Sequence, residues 1–135
     1  MSKKEIPRGI RNNNPLNIRI GNTWLGEVQF PTDNDFEQFV TMEYGLRAAF
    51  VILRRYIRRY GKNTIRKIIS TWSPASENNT EAYIRTVSKL MSLSDDTPIT
   101  YEARCTMMSL VAAMAYVECG CEIEMEKIAK AYDMT

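Results

Sequence analysis

Along residues 100–120, TYEARCTMMSLVAAMAYVECG, apolar positions recur with the period of an α-helix. Ala103, Met107, Leu110, Val111 and Met114 form one stripe. Continued by i+4 and i+7, the stripe meets Glu118 at its centre, and Gly120 supplies a left-handed stop. The same period runs from Thr41 to Gly61 through Leu46, Ala49, Phe50, Leu53, Tyr56, Ile57 and Tyr60. Thr64 caps a short helix carrying Ile65, Ile68, Ile69 and Trp72, which Ser73-Pro74 ends. Thr80 opens another with Tyr83, Ile84, Val87, Leu90 and Met91, and a last helix spans about 122–132 with Ile123, Ile128, Ala131 and Tyr132. Residues 1–13 read as extended, packing through Ile6 and Ile10, and Asn12-Asn13-Asn14-Pro15 reads as a turn. Alternation at 17–20 and 28–30 predicts a small β-hairpin, or a pair of short strands, within residues 16–40. The expected fold is mainly α, or α+β with that small β element: about five helices in one domain over 1–135, with 41–132 helical.

A carboxylate at the centre of an apolar stripe, in the last turn of a helix, meets two pressures toward its protonated form. Burial disfavours the charge, and so does the negative end of the helix dipole. A general acid needs that environment. The competing reading of Glu118 is a rim residue that reaches out to water or pairs with an arginine.

Composition narrows the chemistry further. The 135 residues contain no histidine, which excludes Ser–His and Cys–His catalysis and most zinc sites. Cys105, Cys119 and Cys121 contain no Cys-x-x-Cys pair and read as reduced apolar fillers, so no metal and no cofactor is expected. No apolar run approaches a membrane span, and the basic N-terminus lacks the apolar core of a secretory signal. The chain is therefore expected in the cytosol as synthesised, unless something else exports it. Net charge is +2, yet Arg47, Arg54, Arg55, Arg58 and Arg59 share one helix face. With the short helix after Gly61 that face could imitate a helix-turn-helix, but nothing in Tyr60-Gly61-Lys62-Asn63 reads base edges. No specific nucleic acid is expected. An anionic cell-wall polymer would use the same basic face.

The run Arg8-Gly9-Ile10-Arg11-Asn12-Asn13-Asn14-Pro15-Leu16-Asn17-Ile18-Arg19 resembles the N-terminal signature of phage-associated lysozyme-like proteins, often described as virion structural proteins. The likeness continues through Trp24, Gly45-Leu46-Arg47-Ala48, Tyr60-Gly61, Trp72-Ser73-Pro74 and Glu77-Asn78 to Val87. Thr80-Glu81-Ala82-Tyr83-Ile84-Arg85-Thr86-Val87 is also similar to a Thr-x-x-Tyr-[Ile/Val]-x-x-Val segment of lytic transglycosylases, which lies near their catalytic acid. In that superfamily an Ala-rich helix ending in the catalytic Glu comes first in the chain. Here the helix of that form, Leu110 to Gly120, comes late, so the resemblance implies a circular permutation. Two positions depart from the pattern: Leu16 stands where glycine is usual, and Cys119 follows the acid where serine or asparagine is usual.

What the resemblance implies is a lysozyme-like domain of phage or prophage origin that cleaves the β-1,4 glycan of peptidoglycan, with Glu118 as general acid. Its partners would be the glycan strand and other virion proteins, and it would act at the bacterial cell wall or in the virion. Tyr83 would bond the acid or the sugar, or else be a core tyrosine. Asn13, Asn14 and Asn17 would hold N-acetyl groups, or else form turns. Trp24 would stack on a sugar or pack the hairpin. A hydrolase needs a second carboxylate, for which Glu27, Asp33, Asp35 and Glu43 are available, whereas a transglycosylase needs one. The alternative is a non-enzymatic structural or wall-binding module on the same fold. The permutation places three expectations on the structure: a deeply buried Met107–Met114 stripe, Tyr83 beside Glu118, and the chain start near the end of that helix.

Overall fold

The computed structural model describes residues 5–76 and 79–135. Glu77 and Asn78, which belong to the resemblance above, lie outside the described residues. Among the described residues six helices follow in order: α1 (Arg8–Arg11), α2 (Met42–Tyr60), α3 (Ile65–Trp72), α4 (Thr80–Met91), α5 (Arg104–Cys119) and α6 (Met125–Asp133). Among the described residues, no helix is long and apolar enough to cross a membrane.

The caps explain the helix boundaries. Thr41 accepts from the Tyr44 amide at the start of α2, Thr64 from the Lys67 amide at the start of α3, and Asn79 from the Ala82 amide before α4. Gly61 and Gly120 close α2 and α5 with φ of 63° and 68°, a region glycine enters without a Cβ penalty. Helix α5 begins at Arg104 rather than Thr100, because Thr100 to Ala103 turn back on themselves through the Ala103 amide to the Thr100 carbonyl.

Helix α5 is the centre of the core. It packs against α4 and α6 and also touches α1 and α2. Met107, Leu110, Val111 and Met114 have no exposed surface, and Met108, Ala113 and Ala115 are buried as well. The helix is thus enclosed on most of its circumference, wider than the one stripe its periodicity suggests. Truncating Leu110 to alanine there would cost about 2–5 kcal/mol. At the edges the pattern overreaches: Ile6 is 62% exposed, Tyr60 58% and Leu90 53%.

The N-terminal part departs from expectation in two ways. Residues 8–11 form a helical turn rather than extended chain, because the Arg11 and Asn12 amides bond the Pro7 and Arg8 carbonyls. The hairpin over 16–40 is absent. Two isolated antiparallel bridges, Arg19 with Phe36 and Glu27 with Phe39, tie both flanks to residues 35–40 instead of to each other. Ladders do not grow because side chains take the backbone groups. The fully buried Asn14 amide accepts from the Ile18 amide and donates to the Ile18 and Glu37 carbonyls. Asp33 accepts from the Asp35 and Phe36 amides. Asp33 is itself gripped by Arg8 and Asn12, which holds its carboxyl well below the usual carboxylate range.

This loop lies directly on the first turn of α2. A Cβ on Gly45 would sit 1.8 Å from the Asn13 carbonyl oxygen, so only glycine permits the approach. Leu16 is 1% exposed and anchors the loop to the core.

Candidate active site

Glu118 sits in the last turn of α5, where the buried stripe reaches the surface, and it is half-buried. Three elements converge on its carboxyl group. From α4, the Tyr83 hydroxyl donates to Oε2 at 3.0 Å. From the N-terminal loop, the Asn17 amide donates to Oε1 at 3.2 Å and to the Glu118 carbonyl at 3.3 Å. From the end of α3, the Trp72 indole also favours the ionised form, as does the charge of Arg19. Burial outweighs these four influences and raises the Glu118 pKa above the ordinary carboxylate value. No ion pair holds Glu118 among the described residues, so the arginine-paired reading does not apply.

Tyr83 is enclosed, and burial followed by the neighbouring Glu118 charge pushes its hydroxyl far above the normal range. It is therefore a permanent donor to the carboxylate and not a proton source. Asn17 reaches the acid because its backbone adopts the left-handed region, φ 53°, which asparagine tolerates better than most residues. Its Oδ1 is buried without a protein partner, which leaves the Nδ2 side committed to Glu118.

Glu118 and Ser73 lie where the two arms of an open groove meet. The larger arm, about 410 Å³, is lined by Asn17, Arg19, Phe36, Tyr56 and Trp72 with the apolar Ile18 and Ile52. The smaller, about 310 Å³, is lined by Asn79, Ala82, Tyr83, Thr86 and Val117. Tyr56 and Trp72 meet edge to face, with centroids 6.4 Å apart, and give the larger arm an aromatic wall. A half-buried acid midway along a groove, with a dry flank on α4 and an open one toward the loop, can protonate an oxygen of an extended ligand lying across it.

Of the residues expected in the site, the structure brings Glu118, Tyr83 and Asn17 together. Asn13 and Asn14 remain in the loop as turn formers: Asn13 donates to the Phe39 carbonyl, and the Asn14 amide is fully used by backbone. Trp24 packs against the core with its Nε1 enclosed and lines neither arm. Among the described residues, none of Glu27, Asp33, Asp35 and Glu43 lines the groove. Asp33 and Asp35 pair with Arg8, and Glu43 lies 3.9 Å from Lys130. Glu27 faces Glu37, whose pKa burial and that neighbour push up to about 7. Cys119 donates to the Ala115 carbonyl, and burial pushes its thiol up to about 11, so it offers no thiolate to the site. All three cysteines are free. Sequence reasoning missed Arg19, Tyr56 and Trp72. For Trp72 a signal existed, since it is the last residue before the Ser73-Pro74 stop, where a helix end opens onto the surface.

The arginine face of α2 is partly neutralised. Arg58 pairs with Glu102, and Arg54 and Arg58 lie over the Tyr101 ring at 5.7 and 5.3 Å. Arg47 donates to the Met134 carbonyl, while Arg55 and Arg59 point to solvent with no ion pair among the described residues.

No protein-family model matches the chain. A relative, Protein P5 of Pseudoalteromonas phage PM2, is 39% identical to it over 120 residues, which cover 86% of this chain and 73% of the relative. At that identity and coverage, the chain belongs to the family of the phage PM2 protein P5.

Proposed function

We propose that this chain is a peptidoglycan-cleaving glycosidase or lytic transglycosylase of phage or prophage origin, with Glu118 as general acid on a circularly permuted lysozyme-like fold. The observation that carries the reading is Glu118 itself: a carboxyl group with a raised pKa, fixed by Tyr83 and Asn17, midway along a groove. Supporting the permutation, Asn17 of the N-terminal loop touches the last turn of α5 across 101 positions of sequence. That contact brings the N-terminal loop against the end of the acid-bearing helix, which supports the reading. In the reaction, protonated Glu118 gives its proton to the leaving glycosidic oxygen as charge develops on the sugar ring. The carboxylate so formed then takes the proton of the attacking hydroxyl. Because no second carboxylate lines the groove among the described residues, the attacking group that fits best is the sugar's own hydroxyl, as in a transglycosylase.

The same missing carboxylate favours a second reading, a wall-binding or virion structural module that uses the groove without chemistry. Product analysis separates the readings. Purified sacculi incubated with the protein should release fragments with anhydro-sugar ends for a transglycosylase and with reducing ends for a hydrolase. Binding to sacculi with no fragments released would leave the module.

A further inference from the structure

The two arms of the groove differ in charge. The smaller arm beyond Glu118 is lined by Asn79, Ala82, Tyr83, Thr86 and Val117, with no cation. The larger arm contains one, Arg19. Its backbone is pinned by the bridge to Phe36 and by the Ile20 amide bonding the Asp35 carbonyl, and its guanidinium lies 5.0 Å from the Phe36 ring centroid. A second arginine, Arg8, lies over the same ring at 4.6 Å, but it is consumed by Asp33 and Asp35. Arg19 is exposed and has no carboxylate partner among the described residues. The two nearby aspartates both pair with Arg8, while the groove arginine has no ion pair among the described residues. A neutral sugar polymer would need only the aromatic wall and hydroxyl partners already in this arm. A rigidly placed, unpaired guanidinium is suited instead to a carboxylate, which it can hold with two parallel hydrogen bonds.

We propose that Arg19 selects for a carboxylate carried on the glycan, and that the sugar bearing it occupies the larger arm, on the Arg19 side of Glu118. This rests on the peptidoglycan reading and adds the residue that distinguishes that polymer from an uncharged β-1,4 amino-sugar chain. It also fixes register. In a polymer with a carboxylate on every second sugar, holding the acidic sugar in one arm presents only one of the two alternating bonds to Glu118.

The experiment compares kcat/KM of wild type, Arg19→Gln and Arg19→Lys on three substrates. These are an N-acetylglucosamine oligomer without carboxylates, glycan strands stripped of peptides so that the lactyl acid is free, and strands that retain their peptides. Arg19→Gln also removes a charge that acts on Glu118, but that effect is shared by all three substrates and cancels in the ratio of acidic to neutral substrate. The expected result is a ratio about tenfold lower in Arg19→Gln, the size of one charge-assisted hydrogen bond, with Arg19→Lys between. The wild-type preference should weaken with salt. A fall on stripped strands assigns the contact to the lactyl acid; a fall only on peptide-bearing strands assigns it to the stem carboxylates. An unchanged ratio on both overturns the role of Arg19 while leaving the glycosidase reading intact. A wild-type protein that neither cleaves nor binds any of the three overturns the glycosidase reading, and this inference with it.

Discussion

Replacing Tyr83 with phenylalanine removes one oxygen atom from an enclosed site and little else. The ring stays packed at 7% exposure, and two contacts are lost: the 3.0 Å bond to Glu118 Oε2 and a long 3.5 Å approach to the Met114 carbonyl. A hydrogen bond to a charged acceptor is worth about 1.5–3 kcal/mol. Glu118 has an open flank where water replaces part of that, so the lower end, about 1.5 kcal/mol, is expected above the Glu118 pKa. For a chain of this length that is a fall in Tm of about 5 °C. The sign of the pH dependence follows from linkage. The Tyr83 hydroxyl favours the ionised form, so its loss raises the folded pKa of Glu118 further. The variant then binds the proton more tightly when folded and gains on wild type as pH falls through that pKa. The Tm gap should therefore narrow toward pH 4, where the acceptor is a neutral acid. In activity, the basic limb of the pH profile should move to higher pH. Melting curves of both proteins from pH 4 to 9 test this, and a gap constant across that range would refute the charge-dependent bond.

Three further outcomes follow from the same geometry. Asn17→Gly keeps the left-handed backbone and should stay within about 1 kcal/mol of wild-type stability while losing most activity; equal activity would show that its amide does not orient Glu118. Asn14→Ala strands two buried backbone groups, the Ile18 amide and the Glu37 carbonyl, while the Ile18 carbonyl keeps the Glu37 amide; its Tm should fall by about 10 °C with unchanged activity per folded molecule below the transition. Polyanion binding through Arg54, Arg55, Arg58 and Arg59 should be weak, salt-dependent and without sequence preference; anisotropy titrations showing nanomolar, sequence-selective duplex binding at physiological salt would overturn that.

Where local chemistry decides structure, the sequence was readable. The cap Thr64, the stop Gly120 and the 3.6-residue period that begins at Thr41 place α2, α3 and the end of α5, and that period also carries Glu118 to the end of the buried stripe. Tyr83 could be paired with the acid only through the resemblance, because contact across 35 positions leaves no mark in periodicity. The N-terminal loop was misread for a physical reason. Alternation at 17–20 looks the same whether the backbone joins a full ladder or a single bridge beside the Asn14 amide, and here it is the single bridge. Asparagine residues that appear interchangeable divide the same way: Asn14 turns inward to backbone, and Asn17, three positions on, turns toward Glu118. Of the two tryptophans, Trp24, expected to stack on a sugar or pack a hairpin, is taken by the core, while Trp72 at a helix end lines the groove.

The central claim is that Glu118 donates the proton that breaks a glycosidic bond, and clearance of purified peptidoglycan by wild type beside Glu118→Gln tests it most directly. The amide preserves the shape: its oxygen can still accept from Asn17 while its NH2 donates to the Tyr83 hydroxyl, but it has no acidic proton to give. With matched melting temperatures, the account predicts lysis by the wild type and a loss of at least a hundredfold in the variant, within the range of general-acid contributions of about 10²–10⁴. Equal clearance by the two proteins would contradict it.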